Sequence, residues 1–479
     1  MIKRFFKDGL IYSIPSFVSR GISVLLIPLY TRVLSPADYG AWDMLLVFMN
    51  LVRLTVALEI SQAVARFYSH EKGEKNKSVC ASTALWFTIA ANGLFFVIAQ
   101  LFAVPISGIL LGSDDLTPIF RLGLVLGLFN GVFYLVQNQF RWELKSKGYA
   151  LVSLIVSFVT AGLSVVLAYV FKFGLYGILV GSIAGSLTGA IYGLIVLRKT
   201  FRFRFSFNKL KPMLQFSVPL VFSGIAVFIS LYIDRIMIRH FLTLDALGLY
   251  SLAFRFASVI SLLMVGFNSA LTPLIYRHYE ESATPGNLSA IFRYFIFFAL
   301  LAYAGMSMYA KEILVVFTTP EYYPAAGIIV FLVPAIILSN MYVFAPGINI
   351  RKKTSYILFI NIVGAVLQFF FNYLLIPKFG YIGAAAATCL GNLCIFSMYI
   401  VISQRLYHVP HNWGRLASGI VVIVVLIGLS SQLELAPLIE VFVKLGLLCI
   451  AAAVLMLLGF VRIDEIGRMK NLLLKRSGI

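Results

Sequence analysis

Three arginines stand in stretches of sequence where a charge is costly. Arg20 lies midway through the apolar run Leu10–Leu34, Arg53 midway through Trp42–Ala63, and Arg255 inside Leu247–Leu271. A charged side chain at the centre of a bilayer costs roughly 3 kcal/mol on an insertion scale, so a chain keeps one there when it faces a wet cavity, a partner or a substrate. The guanidinium is permanently charged, and its planar fork of donors matches the oxygens of a phosphate or diphosphate. Three such groups on three separate runs predict a cationic chamber suited to an anionic cargo. The competing arrangement pairs each arginine with a carboxylate that holds helices together. Asp43 and Glu59 on the second run and Asp234 on the seventh are the available acids, and the same three are candidates for proton or sodium coupling. Glu59 lies six residues beyond Arg53, which puts the two on different faces of a continuous helix. Asn361 and Asn372 suit sugar hydroxyls, or hydrogen bonds between helices.

The elements that must position these residues are membrane spans. The chain has 61% hydrophobic and only 12% charged residues with a mean hydropathy of +0.94, against about 25% charged in a soluble domain. Runs of about 20 apolar residues follow one another almost end to end, and the short alternating strands of a β-barrel are not seen. The fold class is therefore all-α and polytopic, with roughly fourteen spans. Their limits fall near 10–34, 41–63, 80–104, 117–140, 150–171, 174–197, 213–234, 247–272, 290–310, 324–347, 355–376, 380–403, 416–432 and 438–461. The first run follows Lys3, Arg4 and Lys7 but is too long for a signal-peptide core, so it reads as a retained span. Arg293 and Lys444, within or near the ends of spans, are expected to snorkel to the headgroups.

Charge alternates between loops. One side collects Arg66, Lys72, Lys75 and Lys77, then Arg141, Lys145 and Lys147, then Arg198 to Lys211, Arg351 to Lys353, Arg405, Arg415 and the basic tail. The other holds little more than Arg32, Arg121, Lys172, Arg235, Arg239, Lys311 and Lys378. The positive-inside rule places both termini and the basic loops in the cytoplasm. It also accounts for the net charge of +20 without nucleic acid, because the positive residues are dispersed among short loops. Cys80, Cys389, Cys394 and Cys449 sit in or beside apolar runs and look like core residues rather than a disulfide set. The sequence carries no phosphate-binding glycine loop, no Ser/His/Asp spacing and no His/Cys metal cluster, so neither an enzyme, a cofactor nor a metal site is expected.

An internal repeat organises the spans. Lys172-Phe-Gly-Leu-Tyr-Gly177 recurs as Lys378-Phe-Gly-Tyr-Ile-Gly383, Lys147-Gly-Tyr149 as Lys353-Thr-Ser-Tyr356, Ser13-Ile-Pro15 as Ser217-Val-Pro219, and Ala37-Asp-Tyr-Gly40 loosely as Asp245-Ala-Leu-Gly248. The expected organisation is two parallel six-helix lobes, 1–212 and 213–403, followed by two further helices and a basic tail over 404–479; repeated halves flanking a site are a transporter design. Small-residue stripes at Gly181-Ser-Ile-Ala-Gly185 and Gly383-Ala-Ala-Ala-Ala387 suit close helix packing.

These landmarks resemble the polysaccharide-export branch of the multidrug/oligosaccharidyl-lipid/polysaccharide (MOP) exporter superfamily, the Wzx-type O-antigen flippases and their relatives. The matching elements are Pro28-Leu-Tyr-Thr-Arg-Val-Leu-Ser-Pro-Ala-Asp-Tyr-Gly40, then Ser217-Val-Pro-Leu220 with Asp234-Arg235 and Gly248-Leu-Tyr-Ser251, then Asn361 and Asn372 ahead of Pro377-Lys-Phe-Gly-Tyr-Ile-Gly-Ala384. The fit to lipid II flippases is weaker around the first span, and weaker again to drug/cation antiporters, since no acid-rich first bundle is present. The resemblance implies a MATE-like pair of bundles around a central cavity. It implies a polyprenyl-diphosphate-linked glycan, an O-antigen, capsule or exopolysaccharide repeat unit, flipped across a bacterial or archaeal cytoplasmic membrane. Membrane lipids and other polysaccharide assembly proteins are the implied partners, Arg20, Arg53 and Arg255 the expected diphosphate contacts. A lipid II-type exporter, a cation-drug antiporter, and a membrane glycan polymerase or ligase are the alternatives; the last usually carries a large external loop, and the external loops here are short.

Overall fold

The computed structural model describes residues 15, 17–19, 21–433 and 435–461. The described residues are helical nearly throughout, and no strand occurs among them. By packing, the chain divides into two compact units, Met1–Leu252 with Phe317–Tyr322, and Ala253–Val316 with Tyr323–Ile479.

The first unit contains α1 (Ile27–Thr31), α2 (Pro36–Thr55), α3 (Ile60–His70), α4 (Glu74–Leu101), α5 (Ala103–Leu111), α6 (Thr117–Trp142), α7 (Ser146–Val165), α8 (Gly174–Val196), α9 (Phe207–Phe241) and most of α10 (Leu244–Ser258). The start of α2 is set locally. The Ser35 side chain accepts from Asp38 N while Asp38 accepts from Ser35 N, a reciprocal capping box, and Pro36 occupies the first turn. Thr243 plays the same part for α10, its Oγ1 accepting from Ala246 N at 3.3 Å. The core gathers Ile60, Val64, Ala84, Phe133, Val136, Phe140 and Tyr149.

The second unit holds α11 (Ser261–His278), α12 (Thr284–Met308), α13 (Ala310–Phe317), α14 (Ala326–Asn340), α15 (Gly347–Ile350), α16 (Ser355–Leu406), α17 (Trp413–Ser431) and α18 (Pro437–Leu457). Its core is aromatic, built from Phe292, Phe295, Phe344, Phe396, Tyr399 and Phe460 with Ile423 and Leu455.

Ten helices among the described residues are long and apolar enough to cross a membrane, and the bent pair α2 and α3 makes an eleventh span. α16 counts as two. Its 52 residues would extend about 78 Å, far beyond a hydrocarbon core of about 30 Å, and Gly380 at φ 58°, ψ −141° turns the chain back on itself. That gives twelve spans against the fourteen expected. Of the other two, 10–34 lies partly outside the described residues. The expected continuous span over 247–272 is instead α10 and α11, separated at Val259 and Ile260.

The repeat is visible as geometry. In the first unit α7 and α8 form an antiparallel hairpin turning at Lys172 (φ 58°) and Gly174 (φ 54°). A Cβ on Gly177 would lie 2.5 Å from Ala168 N, one on Gly181 2.4 Å from Ser164 Oγ, and one on Gly185 2.0 Å from Thr160 Oγ1. In the second unit the halves of α16 meet in the same way, where a Cβ on Gly383 would lie 2.2 Å from Leu375 O and one on Gly391 2.8 Å from Gln368 Cγ. Both small-residue stripes are thus contact surfaces that let backbones approach, as membrane helices require when hydrophobic burial offers no drive to associate. A second trace is reciprocal. A Cβ on Gly40 would stand 2.0 Å from Leu244 O, and one on Gly248 1.9 Å from Pro36 O. Each glycine touches the start of the other's helix, the pattern of a two-fold contact.

Candidate functional site

The sequence places Arg53 and Glu59 on one straight helix. The structure breaks that helix between them. α2 ends at Thr55, α3 begins at Ile60, and the two are bent by 41°. Leu58 and Glu59 both take φ 50°, in the left-handed region that costs a non-glycine residue roughly 1–2 kcal/mol. This corrects the expectation of separate faces, for Arg53 and Glu59 line one recess with Ser61, Thr88, Asn92 and Tyr134. The space is about 10 Å³, close to that of a single water molecule.

Arg53 is exposed. Its guanidinium carbon lies 4.8 Å from the centre of the Tyr134 ring, a cation–π contact that orients the group without consuming its N–H donors. It forms no ion pair among the described residues. Glu59 Oε2, Ser61 Oγ and Thr88 Oγ1 are buried atoms without a hydrogen-bond partner among those residues. The recess therefore combines a guanidinium with donors to spare, a carboxylate and two hydroxyls, on three helices.

Asp43 and Asp234 meet neither Arg53 nor Arg255. They converge on Arg235, which the sequence had assigned only to the outer ends of the spans. Arg235 Nε donates to Asp43 Oδ2 at 3.0 Å, and its Nη1 donates to Asp234 Oδ1 at 3.2 Å. Ser251 Oγ donates to Asp43 Oδ2 at 2.7 Å, and the Tyr250 hydroxyl donates to Asp234. Arg235 and Asp234 are buried at 6% and 4% exposure. The network ties α2 to α9 and α10 beside the reciprocal glycine contact. One signal of it was present in the sequence, since Asp43 and Ser251 each follow their paired glycine by three residues.

Arg20 lies outside the described residues. Arg255 is half-buried near the end of α10, where its carbonyl accepts from Ser258 Oγ. Asn372 is fully buried and its Nδ2 donates to Gln368 O one turn back at 2.7 Å, whereas Asn361 is exposed. Lys444 does not snorkel. It is 4% exposed and held by Glu312 of α13 and by Glu440 Oε1 at 2.7 Å. Acids were within reach, so burial with a partner replaced the reach to the headgroups. Among the described residues no group of His, Cys, Asp or Glu could hold a metal ion, and all four cysteines are free.

A family profile described as polysaccharide biosynthesis protein matches residues 5–279, more than half of the chain. The chain belongs to the polysaccharide biosynthesis protein family. A second profile, MatE, matches residues 219–374. This family member is 28% identical over 245 residues to the succinoglycan biosynthesis transport protein ExoT of Rhizobium meliloti, covering 50% of this chain and 47% of ExoT. It is 22% identical over 255 residues to the probable low-salt glycan biosynthesis flippase Agl15 of Haloferax volcanii, covering 50% of this chain and 52% of Agl15. The chain thus spans about half the length of each of these two relatives. Among solved structures, the lipid II flippase MurJ in an inward closed conformation superposes with a TM-score of 0.71 at 14% identity, covering 93% of this chain and 98% of MurJ. An inward-facing MATE-family transporter of the MOP superfamily gives 0.66 at 15% identity over 83% and 97%. At such identities what is shared is the fold. This member of the polysaccharide biosynthesis family has the helical fold of the MOP superfamily, and it is a multi-pass membrane protein.

Proposed function

We propose that this chain is a flippase that carries a polyprenyl-diphosphate-linked oligosaccharide across the cytoplasmic membrane by alternating access, with both termini in the cytoplasm. The cargo chemistry sets the requirement. A diphosphate cannot cross hydrocarbon without a partner for its charge, and arginine supplies that partner without changing its own protonation. The observation that carries the reading is Arg53, a guanidinium within a membrane-spanning segment, at a strained helix break, oriented by Tyr134, with Glu59 in the same recess and no carboxylate in ion-pair contact among the described residues. The family membership and the relatives named as glycan transport proteins support the cargo class. Arg20 and Arg255 are proposed as further diphosphate contacts and Asn361 as a glycan contact. Glu59, beside Arg53, is the proposed site of coupling to H+ or Na+.

The test is glycan export in cells dependent on this chain, scored at matched protein level. Losing a charge-assisted bidentate contact of about 2 kcal/mol should reduce cargo affinity roughly 30-fold. Arg53→Ala and Arg255→Ala are expected to abolish export, and Arg53→Lys to retain part of it. Normal export from both alanine variants refutes the proposal.

A further inference from the structure

A cavity of about 350 Å³ lies within the second unit, and none of the residues proposed as cargo contacts is among those that line it. Four segments of chain enclose it, the last contributing Phe460 just beyond α18. The first turns of α12 contribute Gly286, Ser289 and Arg293, the connection before α17 contributes Pro410 and Asn412, and α17 contributes Arg415 in its first turn. The N-terminal ends of two helices lie at the cavity, where the helix dipole favours an anion, although Asn412 Oδ1 already caps α17 by accepting from Arg415 N at 3.0 Å. Two guanidinium groups add full positive charge. Arg293 Nη1 donates to Gly459 O at 3.5 Å, and the Arg415 guanidinium lies beside the same glycine, 3.4 Å from where its Cβ would be. Gly459 takes φ 79° just past the end of α18, in the left-handed region that favours glycine. Arg415 forms no ion pair among the described residues.

The rest of the wall is apolar, formed by Phe292, Ile296, Leu416 and Phe460. A free inorganic anion gains nothing from such a wall, whereas an amphiphile gains on both sides. Trp413 stands 42% exposed at the head of α17, the position of an interfacial aromatic anchor. The sequence then continues with Arg462, Arg468, Lys470, Lys475 and Arg476, and a basic segment immediately beyond a span attracts anionic lipid.

We infer that this cavity binds the phosphate of an anionic membrane lipid headgroup, on the membrane face that carries the basic loops, with Arg293 and Arg415 as the cationic contacts. The inference does not rest on the cargo reading and stands or falls separately from it.

The test is native mass spectrometry of the purified full-length chain from micelles containing dioleoylphosphatidylglycerol or dioleoylphosphatidylcholine at equal mole fraction. The wild type is expected to retain phosphatidylglycerol preferentially. Two cationic contacts at about 1 kcal/mol each correspond to roughly a 30-fold loss of retention in Arg293→Gln/Arg415→Gln. Ala290 also lines the cavity; Ala290→Phe, which fills it and leaves both charges in place, should lose the same adduct, and Arg204→Gln, in the connection before α9 and not part of the lining, should not. Thermal unfolding of each variant in lipid-free detergent separates lost binding from lost folding. Undiminished retention in well-folded double and cavity-filling variants overturns the inference. So does equal retention of phosphatidylcholine, displacement by millimolar inorganic phosphate, or a polyprenyl phosphate that outcompetes phosphatidylglycerol at equal mole fraction.

Discussion

Removing the positive charge from the Asp43–Arg235–Asp234 cluster should damage the protein far more than removing one of its negative charges. The cluster holds two carboxylates and one guanidinium, and the hydroxyls of Ser251 and Tyr250 donate to the acids. Its formal charge is therefore minus one. Arg235→Met leaves two buried carboxylates without a cation, and breaking a buried pair by removing one partner costs about 3–5 kcal/mol. Asp43→Asn makes the cluster neutral while its amide oxygen still accepts from Ser251 and Arg235, so the cost should be about 1 kcal/mol, that of weakening hydrogen bonds. The double variant Asp43→Asn/Arg235→Met leaves one carboxylate, Asp234, with the Tyr250 hydroxyl beside it. It should be more stable than Arg235→Met alone by about 1–2 kcal/mol, a coupling of the size seen between contacting residues. The measurement is unfolding of the purified chain in mixed micelles with increasing SDS, across the wild type, both single variants and the double. If Arg235→Met costs no more than Asp43→Asn, or if the two changes simply add, the cluster does not hold α2 to α9 and α10 in the way described.

Two further outcomes follow from packing and burial. Gly248→Ala places a methyl 1.9 Å from Pro36 O and should destabilise by about 3 kcal/mol, while Gly305→Ala, where nothing lies within 4 Å, should gain a few tenths from helix propensity; comparable unfolding of the two variants would remove the reciprocal contact from the argument. His411, in the connection before α17, is 9% exposed, and burial pushes its pKa from 6.5 down to about 4, with His408 adding in the same direction. The unfolded chain then takes up a proton below pH 6.5 that the folded chain refuses until near pH 4, so stability contributed at neutral pH is lost across that window, of the order of 3 kcal/mol in all. His411→Phe should flatten the fall in unfolding temperature between pH 7 and pH 4.5, and an unchanged fall would assign the pH dependence elsewhere.

How much of this was legible in the sequence depends on the range of the forces involved. The landmarks of the repeat are local and were readable. Lys172-Phe-Gly-Leu-Tyr-Gly177 and its copy at Lys378–Gly383 mark two tight hairpins because a left-handed turn and a backbone approach each leave a glycine at a fixed place. Pairings between distant side chains were not readable, because an acid in a span has several arginines at plausible depth. Asp43 found Arg235, 192 residues away, and Lys444 found Glu312, where nearest charge or snorkelling would have suggested otherwise.

The break between α2 and α3 is the instructive failure. Val56-Ala-Leu-Glu59 contains neither glycine nor proline, so nothing in the local sequence stops a helix there, and two successive left-handed residues cost a few kcal/mol that the surroundings must supply. A straight helix would put Arg53 and Glu59 on different faces, leaving one of the two charges outside any shared polar surface. The break brings both to one recess with Tyr134, Ser61 and Thr88. The strain therefore sits where two charges inside a membrane span need a common polar environment, and the direction of inference runs from that backbone outlier to a site, which is why Arg53 rather than its better-paired neighbours carries the functional reading.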